Sequence, residues 1–149
     1  MTRIAHQGLA VLTPRGWDAR IYRRTPGHDG EVTRPVLHVA DFPLPAVRGD
    51  YGSGAVEIMG PDNVFLSLIE FDPAEATSPL FQDPRPTRLT AGEFGPNKLQ
   101  RGLPGQAGGQ FFFTEHGRAF CLYVVIGSYA KRSGLVARAD ELFKRMEVT

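Results

Sequence analysis

At 149 residues the chain is long enough to bury one core and short for two, so residues 1–149 read as a single domain. Hydrophobic residues at 42 % and charged residues at 22 % suit a globular chain, and a formal net charge of +1 supplies no dense basic face for nucleic acid. The lone cysteine, Cys121, excludes an internal disulfide framework and any cysteine-rich zinc or iron–sulfur site.

The opening stretch MTRIAHQGLAVLTPRGW holds no apolar run of signal-peptide length and no lipoprotein-type cysteine. No segment approaches the roughly 18–20 apolar residues of a membrane span, so a cytoplasmic setting is expected. Leu9–Thr13 (LAVLT) predicts a first strand, closed by the turn signal PRG. Asp18–Arg24 (DARIYRR) predicts a second, the two forming a hairpin with Trp17 at the corner. Thr25–Pro35 is a polar loop, and Val36–Phe42 (VLHVADF) is the next strand. Pro43–Gly54 carries too much Pro and Gly for regular structure.

Ala55–Gly60 and Val64–Phe71 read as a second hairpin across PDN. Asp72–Gly109 is the least patterned region, with short helices expected near Ala74–Phe81 and Phe94–Arg101. Gln110–Glu115, the tight turn HG and Arg118–Ser128 then predict a long hairpin. Phe120, Leu122, Val124 and Ile126 alternate with Cys121, Tyr123 and Val125, so both faces of that last strand should be covered. Gly134–Val148 predicts an amphipathic helix, with Leu135, Ala139, Leu142, Phe143 and Met146 on one stripe. The sum is an α+β fold: an α/β/α sandwich around a mostly antiparallel sheet of about seven strands, closed by a C-terminal helix.

The strand ending in LTPRGW, followed by DARIYRR, resembles the opening of the PsbP-like superfamily; AFCLYVVIGS and LVARADELFKRM resemble its closing strand and helix. The resemblance covers the two ends, about a third of the chain. It implies an α/β/α sandwich in a bacterial member, without enzymatic activity, that binds another protein as an adaptor or chaperone. No functional residue carries over with it, because the shared positions are structural.

Among groups with chemistry, Cys121 lies mid-strand in an apolar run, where a thiol is an inert small hydrophobe, and His116 sits at a turn beyond its reach. His6, His28, His38 and His116 lack metal-ligand spacing, and no cofactor motif is present. Glu57, Glu70 and Glu115 read as edge carboxylates unless two face one cleft. GSGAVE (Gly52–Glu57) has the wrong glycine order for a serine elbow.

Two candidate sites remain. GSYAKRSG (Gly127–Gly134) leaves a strand and enters a helix, so Ser128, Lys131 and Arg132 could meet an anion or an acidic partner, with Ser133 as helix N-cap. Arg20, Tyr22 and Arg24 share one strand face and could anchor a protein interface, although a charged edge strand explains them equally. RGLPGQAGGQFFF (Arg101–Phe113) runs into a strand and away from any helix N-terminus, so it is a fold signal and not a phosphate loop. The expectation is a binding, adaptor or chaperone-like domain with another protein as its partner, and homo-oligomerisation is open to it as well. The alternative is a small-molecule-binding protein or enzyme with a pocket beneath residues 43–54 and 72–109.

Overall fold

The computed structural model describes residues 1–149 and contains eight strands and one α-helix. A three-stranded antiparallel sheet has the order β1-β2-β8, with β1 at Thr2–His6, β2 at Leu9–Thr13 and β8 at Met146–Val148. A five-stranded antiparallel sheet has the order β3-β4-β5-β7-β6. Its strands are β3 (Asp18–Arg23), β4 (Pro35–Ala40), β5 (Val64–Glu70), β6 (Ala107–Glu115) and β7 (Arg118–Ile126). The helix α1 spans Arg132–Phe143. No helix is long and apolar enough to cross a membrane.

Strand β7 has partners on both sides, β5 and β6. Phe120, Leu122, Val124 and Ile126 enter one core, and Cys121, Tyr123 and Val125 enter the other, as the alternation predicts. The first core also takes Leu135, Val136, Ala139, Leu142 and Phe143 from α1, and Leu9, Val11, Met146 and Val148 from the small sheet. The second core is closed by irregular chain: Leu44, Ala55 and Val56 are buried there, and Leu99 and Leu103 pack against it.

This architecture corrects the single seven-stranded sheet between helical layers. The small sheet lies over the first face beside α1, and no α-helix covers the second. Gly52 and Gly54 have φ of +86° and +94°, a left-handed backbone that breaks any regular element through that stretch. Ala55–Gly60 is accordingly not a strand; Val56–Ile58 forms a 3₁₀ turn, which also removes the second predicted hairpin. In the unpatterned region, 3₁₀ turns at Pro73–Thr77, Pro79–Phe81, Ala91–Glu93 and Pro96–Lys98 replace the two short helices.

The first predicted hairpin is also absent. Strand β2 pairs with β1 and β8, whereas β3 pairs with β4. The β1–β2 turn is Gln7-Gly8, with φ of 52° and 80°, and the β6–β7 turn is His116-Gly117, with φ of 52° and 71°. Positive φ at both turn residues matches the twist of two-residue hairpins. Helix α1 stops at Phe143 instead of running to Val148. Arg85 lies there, donating to the carbonyls of Phe143 and Met146 and stacking 4.0 Å from the Phe143 ring centroid. A guanidinium satisfies the unpaired carbonyls of the helix end and lets the chain turn into β8. Ser133 lies inside the first turn; the N-cap position is Lys131, without a side-chain cap.

Candidate functional site

The irregular layer is pinned to the large sheet through His38 of β4. The His38 side chain is fully buried, between the rings of Tyr22 and Phe65 at centroid distances of 5.1 and 5.0 Å. Arg48 Nε donates to its Nδ1 at 2.9 Å, so Nε2 carries the proton and faces the Asp50 carbonyl at 3.0 Å. Ser67 Oγ donates to the same carbonyl at 2.6 Å, and the Tyr22 hydroxyl donates to Asp50 Oδ1 at 2.6 Å. Burial, joined by the Arg48 charge, pushes the His38 pKa down to about 4. Burial and the hydrogen bond to Asp50 push the Tyr22 phenol upward. The cluster is neutral at its centre and holds residues 45–50 against β4 and β5.

Beside this latch, a cleft of roughly 70 Å³ opens between the 43–59 layer and the chain at 99–106. Tyr51, Val56, Leu99, Tyr123 and Val125 form its apolar wall. The rings of Tyr51 and Tyr123 meet edge to face at 5.3 Å. Burial pushes both phenols above their ordinary pKa, so both remain protonated near neutral pH. Gln100 N–H donates to the Tyr123 hydroxyl at 2.8 Å. At the rim, Glu57 accepts from Arg101 at 2.8 Å and from Gly54 N–H at 2.7 Å.

Gln106 forms part of the cleft lining and is 6 % exposed. Its Nε2 donates to the Val56 carbonyl at 2.8 Å, which fixes the amide orientation; Oε1 is buried with no partner. The cleft lies where the sequence alternative put a pocket, beneath 43–54 and 72–109. Sequence reading named Glu57 but missed Tyr51, Leu99, Gln106 and the outward role of Tyr123. Gln106 sits in RGLPGQAGGQFFF, and no spacing or motif distinguishes it there.

The groups with possible catalytic chemistry do not converge. Glu57 borders this cleft and Glu70 borders another, while His38 and Cys121 border neither. Cys121 is fully buried, and burial pushes its thiol up to about 12. Glu70 forms a two-pronged ion pair with Arg118, at 2.7 and 3.0 Å.

In the GSYAKRSG segment, Ser128 Oγ accepts from Lys131 N–H at 3.3 Å, and Lys131 Nζ pairs with Asp62 at 2.7 Å. Arg132 donates to the Tyr129 carbonyl at 3.0 Å and stacks 4.2 Å from the Tyr129 ring centroid. On β3, Arg20 pairs with Asp18 at 2.9 Å, and Tyr22 faces the His38 latch. Arg24 lies just beyond the end of β3 and pairs with Glu31 at 2.9 Å. The structure therefore places the two candidate sets on separate elements, and each charged member has an internal partner.

The fold and cleft together define a class: a small α+β domain with a narrow, largely apolar cleft between its irregular layer and the large sheet. No protein family, curated protein or solved structure matches the chain.

Proposed function

We propose that this chain is a non-enzymatic binding domain of the PsbP-like kind, an adaptor or chaperone whose partner is another protein. The observation that carries the reading is the outer surface of the irregular layer: Val47 is 86 % exposed and Ile58 60 % exposed. Two apolar side chains exposed on one irregular segment, with charged residues near them in sequence, suit a docking surface. Arg101, with a side chain 68 % exposed, and Glu57 supply the rim charges. The resemblance at the two ends of the chain supports the family, and the face-to-face packing of β7 with α1 suits it. A single, buried Cys121 suits a cytoplasmic setting, and a net charge of +1 suits a partner other than nucleic acid.

The test is affinity capture from an extract of the source cells, with mass spectrometry of what is retained. The intact chain should retain a specific protein, and the double variant Val47→Asp/Ile58→Asp should lose it while melting at the same temperature. Retention of nothing but further copies of this chain would point to self-association. Retention of the same protein by both baits would place the interface elsewhere and remove the basis of the proposal.

A further inference from the structure

We infer that the open edge of β1 is an interface for a second copy of this chain, the two β1 strands pairing antiparallel about a two-fold axis at Ile4. A strand edge leaves backbone N–H and C=O groups that another strand can take up. The two sheets have four edges, β1, β8, β3 and β6, and three of them are guarded. On β6, Gly108 exchanges both backbone bonds with Gly95 at 3.0 Å, and Thr114 N–H bonds to the Asp83 carbonyl at 2.9 Å. On β8, Arg85 occupies the Met146 carbonyl at 2.8 Å. Strand β3 carries Asp18, Arg20 and Arg23, the kind of charge that discourages edge pairing.

Strand β1 has no such guard. In a two-residue hairpin the closing residues form a hydrogen-bonded pair, here His6 with Leu9, so Ile4–Val11 and Thr2–Thr13 are bonded in turn. The far side of β2 has the matching parity: Leu12 N–H bonds to the Arg145 carbonyl, and the Gly8 carbonyl accepts from Thr149 N–H. The backbone groups of Arg3 and Ala5 therefore point away from the sheet. Both residues are exposed, and no turn or loop group bonds to either. The Arg3 guanidinium does not cover the edge, because it lies toward the opposite side of the sheet, 3.4 Å from Glu147 of β8.

Register selects the occupant. Outward groups must meet outward groups, so Arg3 can oppose Arg3, Gln7 or Ala5 of the other copy. The first sets like charges face to face. The second needs Gln7 extended, yet its φ of 52° belongs to the turn. The third, Arg3 opposite Ala5 and Ala5 opposite Arg3, is self-complementary and closes two hydrogen-bonded pairs. It also brings Ile4 against Ile4 in the closer, non-hydrogen-bonded position. Ile4 is half-buried against the larger core, so this contact covers its remaining surface and carries that core across the axis. An edge of five residues buries less than a standard interface of about 1,600 Å², so the dimer is weak and depends on concentration.

This interface goes beyond the protein-docking reading and uses neither Val47 nor Ile58. The test is analytical ultracentrifugation of the intact chain from about 10 µM to about 1 mM, where the average mass should rise from monomer toward dimer. Ala5→Pro removes an outward N–H that nothing within the chain uses, at an edge position where proline is tolerated. It should stay monomeric throughout and melt with the dilute intact chain. Ala5→Val keeps the N–H and should dimerise, as should Val47→Asp/Ile58→Asp. Amide exchange at Arg3 and Ala5 of the intact chain should slow about tenfold between the dilute and concentrated samples. A monomer at every concentration, a dimer that survives Ala5→Pro, a dimer lost in the Val47/Ile58 double variant, or exchange at Arg3 and Ala5 that ignores concentration would each overturn the assignment. If Ala5→Pro does not fold, the exchange measurement on the intact chain decides.

Discussion

His38 is a base that folding keeps neutral. Its Nδ1 lone pair is taken by Arg48, so a second ring proton would remove that acceptor and set a cation against the guanidinium. The folded pKa is about 4, against roughly 6.5 in an unfolded chain. Between those values the unfolded state binds the proton and the folded state does not. The stabilisation is therefore complete above about pH 6.5 and is lost as pH falls toward about 4, on the order of 3 kcal/mol in all. Urea unfolding of the intact chain and of His38→Gln across this window isolates the effect from carboxylates common to both. The gap between them should narrow as pH falls, because the variant has no such proton to take up. Parallel curves would show that His38 is not a buried neutral base.

Between elements, Arg118 is the side chain that ties the two sheets. It stands at the start of β7, grips Glu70 of β5, and donates to the carbonyls of Gly8 and Thr149 at 3.3 and 3.0 Å. Gly8 makes room for it: a Cβ there would lie 3.0 Å from the guanidinium and would need an unfavourable φ of +80°. Glu70 is buried, so removing only the arginine strands a carboxylate in the interior. Arg118→Leu should cost about 3 kcal/mol and lower the thermal midpoint by about 8 °C. Adding Glu70→Leu should restore part of the loss, since the stranded charge is gone. A single variant that melts with the intact chain would show that Glu70 is not stranded when Arg118 is removed.

At the scale of the molecule, the sequence is legible where burial is strong and local. The alternation in Arg118–Ile126 and the stripe from Leu135 to Phe143 are visible because each element must match its own covered faces. Pairing between distant strands leaves no such mark. Thr2–His6 is an edge strand exposed along most of its length, so it lacks an apolar pattern, and Met146–Val148 is three residues long and continues the helix stripe. Ala55–Gly60 looks like a strand, yet the 3₁₀ turn at Val56–Ile58 buries Ala55 and Val56 and leaves Ile58 exposed. The cleft was legible only as a place beneath two loops, because its lining brings together Tyr51, Val56, Leu99, Gln106 and Tyr123, which are distant in sequence. The two faces of the large sheet are also unequal: one core holds 23 buried residues, and the other holds 8. The smaller is closed by chain whose backbone bonds are short-range, such as Gly52 N–H to Gly49, and Ala55 and Val56 N–H to Gly52. Opening that layer exposes less apolar surface than opening the sheet, so it should occur more often. Native-state hydrogen exchange measures this directly. Amides of Ala55 and Val56 should exchange at least roughly a hundredfold faster than those of Leu66, Leu68, Leu122 and Val124 after correction for intrinsic rates. Equal protection would mean that the His38 latch makes layer and sheet one cooperative unit. A layer that opens alone is one that can reshape around a partner. It carries Val47 and Ile58, so its exchange should slow when a protein partner is bound there.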